Sequence, residues 1–387
     1  GVTCIYLTPI SKSYSNHRYD TGDYSEVDPM LGTEEDFKTL CKEAKKLGIH
    51  VINDGVYSHT GCDSKYFNRF GNYGDGGAYR DRNSPYFSWY KFNEWPNNYN
   101  SWWGFYTLPE VHEEDPNFNE YINGENGIVR KWMRDGNSGW RLDVADELPD
   151  VFLENLRKAV KAENPEGFVI GEVWEDASNK ESYGARRKFI LGDQLDSVMN
   201  YVFRNAIIDF CKGVDAKYVM SNILNILENY PRPVIRVLMN LLSTHDTERI
   251  LTVIAGEPLN GRDRKWQAET KLTKKQRKVG LQLVKIATGI QYTLPGFPCV
   301  YYGDEAGMEG YRDPFNRCGF PWGKEDNDLV EWYKDLGQMR GSISAFCDGE
   351  FRPVYAEGNV ISYLRYDNKS GIYCAFNSGD VDVIMDI

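Results

Sequence analysis

Four short segments of the chain carry polar residues of the kinds that do chemistry. They are DGVYSH (54–59), GWRLDVADE (139–147), GEVW (171–174) and STHD (243–246), each following an apolar run of β character. Three carboxylates stand out, Asp143, Glu172 and Asp246, with Arg141, His59 and His245 beside them. Cleavage of an acetal by double displacement needs one carboxylate to attack the anomeric carbon. It also needs one carboxylic acid to protonate the leaving oxygen, about 5–5.5 Å away. Asp143 and Glu172 end successive predicted strands, so a parallel barrel sheet would bring both to one face. Arg141 stands two residues before Asp143 and shares its face of the strand. A guanidinium fixed there favours the ionised carboxylate. Taken singly, a strand-end carboxylate with an arginine nearby is more often a buried ion pair. The catalytic reading rests on all four segments occurring together and in this order.

Strand candidates fall near 2–9, 50–56, 139–144, 167–173, 196–200, 235–242 and 299–303, with helical stretches between them. That alternation is the pattern of a parallel α/β sheet, and it supplies seven of the eight strands of a closed barrel. The helix over 34–47 illustrates the reading. Thr33 and Asp36 form a capping-box pair, Phe37, Leu40, Cys41, Ala44 and Leu47 recur at helical spacing, and Gly48 ends the helix.

The order and identity of these segments resemble the α-amylase superfamily of retaining glycoside hydrolases. LTPISKSYSNHRYDTGDYSEVDPMLGT (7–33) is similar to that family's second-strand segment. LPGFPCVYYGDEAGMEG (294–310) with DPFNR (313–317) is similar to its eighth-strand segment, and NLLSTHD and LDSVMNY look most like the neopullulanase, cyclomaltodextrinase and maltogenic amylase branch. The resemblance implies a (β/α)8 TIM barrel whose first strand lies outside this numbering, so the chain is expected to be a fragment. It implies Asp143 as nucleophile, Glu172 as general acid and then base, and Asp246 as the carboxylate that grips sugar hydroxyls. His17, His59, Arg141 and His245 become substrate-binding residues, and Tyr19 the aromatic under the bound ring. The expected substrate is an α-1,4-linked glucan such as starch, a maltodextrin or a cyclodextrin. A transglycosylase on the same site is the nearest alternative, and a non-catalytic amylase-like binding protein the more distant one.

Ser58 stands where many members carry a calcium-binding Asn, and Asp146-Glu147 replaces their Lys-His pair. No cofactor is expected to be required, and any structural calcium should sit elsewhere than the usual interdomain site. His112 in LPEVH occupies a position where Asn is common.

Residues 62–137 interrupt the strand–helix rhythm with a gap far longer than ordinary βα loops. Sixteen aromatic residues crowd Tyr66 to Tyr106. The expected division is a barrel over 1–61 and 138–343, an inserted loop-rich domain over 62–137, and a C-terminal β-sandwich, incomplete here, over 344–387. Trp89, Trp95, Trp102 and Trp103 are candidate platforms for sugar rings, although most such residues simply form the core of a small domain.

The 387 residues carry a net charge of −12, which argues against a nucleic-acid partner and suits a neutral polysaccharide. No apolar run approaches a membrane span. The eight cysteines are scattered without a Cys-x-x-Cys pair. Zinc-type spacing is therefore absent, and reduced thiols lean towards a cytoplasmic location.

Overall fold

A computed structural model describes residues 1–182 and 184–384. The chain divides into two compact units. One comprises Val2–Val173 with Ala177–Val198, and the other Trp174–Asp176 with Met199–Ile387 and the first residue.

The first unit is built on a parallel sheet of five strands in sequential order: β1 (Cys4–Leu7), β2 (His50–Gly55), β3 (Gly139–Leu142), β4 (Phe168–Gly171) and β5 (Ser197–Val198). Parallel neighbours need crossover connections, and helices Glu34–Lys46, Ile128–Arg134 and Asp150–Glu163 lie in them. β2 is buried from Val51 to Gly55 and β3 throughout, and both bring polar side chains into the sheet, Asn53 and Asp54 on β2 and Arg141 on β3.

Both halves of the Thr33–Asp36 capping box form, and Gly48 follows the helix with φ +72. The expected apolar stripe is narrower than its spacing suggested. Phe37, Cys41 and Ala44 are buried, whereas Leu40 and Leu47 are exposed. Positions 37, 41 and 44 lie on one helical line, and 40 and 47 sit at its margin.

Residues 62–115 hold no α-helix, only short 3-10 turns and the hairpin Phe92–Glu94 with Asn98–Tyr99. Ring packing replaces secondary structure there. Phe67 meets Tyr90, Tyr99, Phe92 and Tyr79 with centroids 4.7 to 5.8 Å apart. Helices resume at Pro116–Asn123 and Ile128–Arg134, so the last part of the 62–137 stretch is regular.

In the second unit β6 (Met239–Leu241) pairs in parallel with β7 (Phe297–Cys299). Two strands differ from expectation. Residues 232–236 are helical, with proline in the first turn where its fixed φ suits a helix start. The run expected at 299–303 ends as a strand at Cys299, and Gly303 turns with φ +86. A three-stranded antiparallel sheet, Glu350–Glu357, Val360–Tyr366 and Gly371–Asn377, closes the described chain. Arg365 is fully buried and donates to the carbonyls of Thr293, Ala345, Phe346, Gly349 and Glu350. It ties that sheet to the end of the helix Lys274–Thr293.

All eight cysteines are free thiols. Cys4 lies on β1 and is exposed. Among the described residues no helix is long and apolar enough to cross a membrane.

Candidate active site

Parallel register places the charged residues. Arg141 lies opposite Asp54 on one side and Ile170 on the other, and Leu142 lies opposite Gly171. Carried one residue further, that register sets Asp143 beside Glu172 just past the end of the sheet. Their backbones continue the ladder, since Asp143 N–H donates to Gly55 O and Glu172 N–H to Leu142 O, each at 3.0 Å.

Arg141 has no solvent exposure and bridges three carboxylates. Nη1 reaches Asp54 Oδ1 at 2.8 Å and Asp143 Oδ1 at 2.9 Å, and Nη2 reaches Glu172 Oε2 at 2.8 Å. Burial alone would lower the guanidinium's pKa, but Asp54 and Glu172 more than reverse this and hold it well above its ordinary range. One guanidinium thus fixes both predicted catalytic carboxylates, which are themselves 8% and 4% exposed.

Asp54 is the residue the sequence reading missed. It accepts hydrogen bonds from Arg141, from Tyr6 Oη at 2.5 Å and from Tyr19 Oη at 2.7 Å. Burial, with Asp54 adding to it, raises both phenols well above their ordinary range, so both donate as neutral groups. The signal available was position: Asp54 is the one carboxylate of its strand, at the head of a segment already singled out.

His59 contacts Tyr19 O through Nε2 and Ser58 Oγ through Nδ1, both at 2.9 Å. A carbonyl only accepts, so Nε2 carries the hydrogen, and the bare Nδ1 of a neutral ring accepts from Ser58. Burial lowers the His59 pKa to about 4, against a smaller raising effect from the Tyr19 contact. His17 stacks near Tyr19 at 6.3 Å, and its Nδ1 accepts from Tyr19 N–H at 3.1 Å. Tyr19, His17, His59, Arg141, Asp143 and Glu172 therefore form one connected cluster in the first unit.

His245 and Asp246 belong to the second unit. His245 Nε2 lies 3.0 Å from Asp246 Oδ2, and Arg317 Nη2 lies 3.8 Å from Oδ1. Their loop is held by fully buried Asn316. Its amide donates to the carbonyls of Thr244, His245 and Thr247 at 2.8 to 3.2 Å. Arg317 Nε adds a bond to His245 O at 3.1 Å. Asn316 and Arg317 lie in the DPFNR segment, whose spacing carries no cue to their individual contacts.

The candidate platforms separate clearly. Trp89 is 2% exposed and packs among Tyr66, Tyr86, Phe118 and Tyr121, so it is core. Trp95 is half-buried, bonded to Ala78 O and covered by Arg82 at 4.7 Å. Trp102 and Trp103 stack on each other at 5.2 Å, and both indole N–H groups donate to Glu147 at 2.7 Å. Trp102 also lies 5.1 Å from the His59 ring, while Trp103 is 75% exposed. Burial raises the Glu147 pKa against the opposing hydrogen bonds from Trp103 and Trp102.

Ser58 and Asp146 both have partners within the protein. Ser58 Oγ serves His59, and Asp146 pairs with Lys180 at 3.1 Å.

Residues 1–342 match the family described as alpha amylase, catalytic domain. The chain belongs to that family. Its parallel strands are those of the alpha-amylase (β/α)8 barrel. An amylopullulanase of Thermoanaerobacterium saccharolyticum is 39% identical over 94% of this chain. A cyclomaltodextrinase of Thermoanaerobacter pseudethanolicus is 34% identical over all of it. Among solved structures, the debranching enzyme of Nostoc punctiforme superposes with TM-score 0.82 at 32% identity, covering 98% of this chain and 75% of that one. The chain spans 30% of the length of the amylopullulanase and 62% of the cyclomaltodextrinase. The alpha-amylase family is one of retaining glycoside hydrolases, and the neopullulanase and cyclomaltodextrinase branch recognised in the sequence is among the relatives.

Proposed function

We propose that this chain carries the catalytic site of a retaining hydrolase of α-glucans, with Asp143 as nucleophile and Glu172 as acid and base. One observation supports it above all others: a single buried guanidinium, Arg141, holds both carboxylates at adjacent strand ends. The positive charge beside Asp143 favours the carboxylate form needed for attack on the anomeric carbon. Glu172 protonates the departing oxygen. It then takes the proton of the water that opens the glycosyl–enzyme ester, so the configuration is retained. Asp54, Tyr6 and Tyr19 set the rotamer of Arg141 and thereby the spacing of the pair. Asp246 and His245 bind sugar hydroxyls in this reading. Tyr19, His17 and His59 line the ring bound at the carboxylates, and Trp102 and Trp103 supply a stacking face.

The substrate is an α-1,4-linked glucan: starch, a maltodextrin or a cyclodextrin. Similarity to proteins named amylopullulanase and debranching enzyme adds pullulan to the substrates worth testing. The reaction needs no cofactor, and any calcium binds away from Ser58 and Asp146. The proposed division remains that of the sequence reading: barrel over 1–61 and 138–343, inserted aromatic segment over 62–137 and C-terminal β domain over 344–387. Product chromatography on maltoheptaose, β-cyclodextrin and pullulan tests the assignment. Release of shorter or ring-opened maltooligosaccharides from maltoheptaose or β-cyclodextrin supports α-1,4 hydrolysis, maltotriose from pullulan points to α-1,6 cleavage, products larger than the substrate support glucosyl transfer, and no product from all three contradicts the assignment.

A further inference from the structure

The loop that follows β3 is held in a costly conformation. Val144, directly after Asp143, has φ +38 and ψ 51. This is the left-handed region, which a β-branched residue enters only against steric repulsion. Such a residue persists where its surroundings over-determine it. In this conformation Val144 N–H donates to Glu172 Oε2 at 2.9 Å, and Val144 O accepts from Glu147 N–H at 2.8 Å. Glu147 in turn gives both its oxygens to the two indoles. A single loop therefore touches the proposed acid at one end and the aromatic face at the other.

Arg187 grips that loop. Its side chain is buried and stacked over Phe189 at 4.5 Å. Nη1 donates to Asp146 O at 2.8 Å and to Ser182 Oγ at 2.7 Å, Nη2 donates to Leu148 O, and Nε donates to Asp150 Oδ1 at 2.9 Å. The two carbonyls flank Glu147. Asp150 opens the helix Asp150–Glu163, so the guanidinium also ties the loop to a rigid element. Only a planar fork of several donors can serve these acceptors together, which a lysine cannot do.

We propose that Arg187 is a positioning residue for the reaction. It keeps Val144 left-handed, so that its N–H stays on Glu172, and it keeps Glu147 on Trp102 and Trp103. The proposal rests on the assignment of Glu172 as acid and base.

The test uses the full chain, with Arg187→Ala, Arg187→Lys, Asp150→Asn and the double variant Arg187→Ala/Val144→Gly. Two readouts are followed: amide hydrogen exchange of residues 144–148, and kcat and KM on maltoheptaose. In Arg187→Ala the loop amides exchange at least about tenfold faster while β3 and β4 stay protected. Its kcat falls about tenfold or more, and Arg187→Lys falls between it and the unmodified chain. Glycine has no Cβ to resist a positive φ, so Val144→Gly in the Arg187→Ala background recovers kcat but not melting temperature. A merely structural role predicts the reverse, a thermal loss with no recovery of kcat. Unchanged loop exchange or unchanged kcat in a folded Arg187→Ala chain overturns the proposal. Where that variant does not fold, Asp150→Asn is read by the same two criteria. If the unmodified chain does not turn over any α-glucan, the assignment of the reaction fails, and the exchange measurement alone decides whether Arg187 holds the loop.

Discussion

Asp143 and Glu172 are held very differently from Asp246. The first two are almost wholly buried and share one guanidinium. Asp246 is 34% exposed at its side chain, meets His245 at 3.0 Å and lies 3.8 Å from Arg317 Nη2. A carboxylate that must attack a carbon at a fixed angle gains from being immobilised. One that hydrogen-bonds hydroxyls must stay accessible and able to adjust. With the roles proposed for them, order of burial follows order of chemical demand, and the contrast can be broken by substitution.

The largest effect should come from Arg141. Replacing it with Met leaves Asp54, Asp143 and Glu172 buried without their shared cation, which costs about 3–5 kcal/mol of stability. Turnover should fall by at least about 10^3. Urea denaturation and steady-state rates measure both, and a loss below about 1 kcal/mol would mean that the cluster is wetter than its burial implies. Asp54→Asn should act in the same direction with a smaller effect.

Next come the carboxylates themselves. Asp143→Asn should reduce turnover to roughly 10^-4 or less, whereas Asp246→Asn should cost about 10^2–10^3, with melting temperature little changed in the second. Equal losses would erase the distinction drawn between the two environments.

His59 gives a smaller and pH-dependent effect. Its folded pKa of about 4 lies below the ordinary 6.5, so the unfolded chain takes up a proton first. The stabilisation from keeping the ring neutral is fully present above about pH 6.5 and is lost as pH falls towards 4, amounting to roughly 3 kcal/mol. Comparing unfolding of the unmodified chain and His59→Gln at pH 7 and pH 4.5 isolates it. A difference that does not change with pH contradicts the buried neutral ring. The smallest effect is expected from a chelator, which should leave the melting temperature unchanged. A drop reversed by calcium would mean that calcium binds at Ser58 and Asp146 after all or at another site.

Much of this was legible in the sequence. Period and capping marked the helix Glu34–Lys46 to within a residue, because Thr33, Asp36 and Gly48 act locally. The parallel strands showed as apolar runs, although short ones were overextended where proline or glycine turned the chain, as at 231–236 and 303. The pairing of Arg141 with Asp143 followed from strand periodicity. Asp54 did not, because its meaning depends on the neighbouring strand's register, which spacing along one strand does not encode. Likewise the four tryptophans of 89–103 look alike as letters. Only packing separates buried Trp89 from Trp102 and Trp103, whose indoles are held by a glutamate some 45 residues away. The hold of Arg187 on the loop after β3 is equally non-local.

The central claim is that Asp143 attacks covalently while Glu172 supplies and removes the proton. Time-resolved proton NMR of an α-glucan digest tests it most directly, since the anomer first released can be seen before mutarotation mixes the signals. The double displacement predicts the α-anomer first. Glu172→Gln should also spare an α-glucosyl fluoride more than maltoheptaose, because fluoride leaves with little protonation. Initial release of the β-anomer would contradict the assignment outright, and equal losses on both substrates would remove Glu172 from the role of acid.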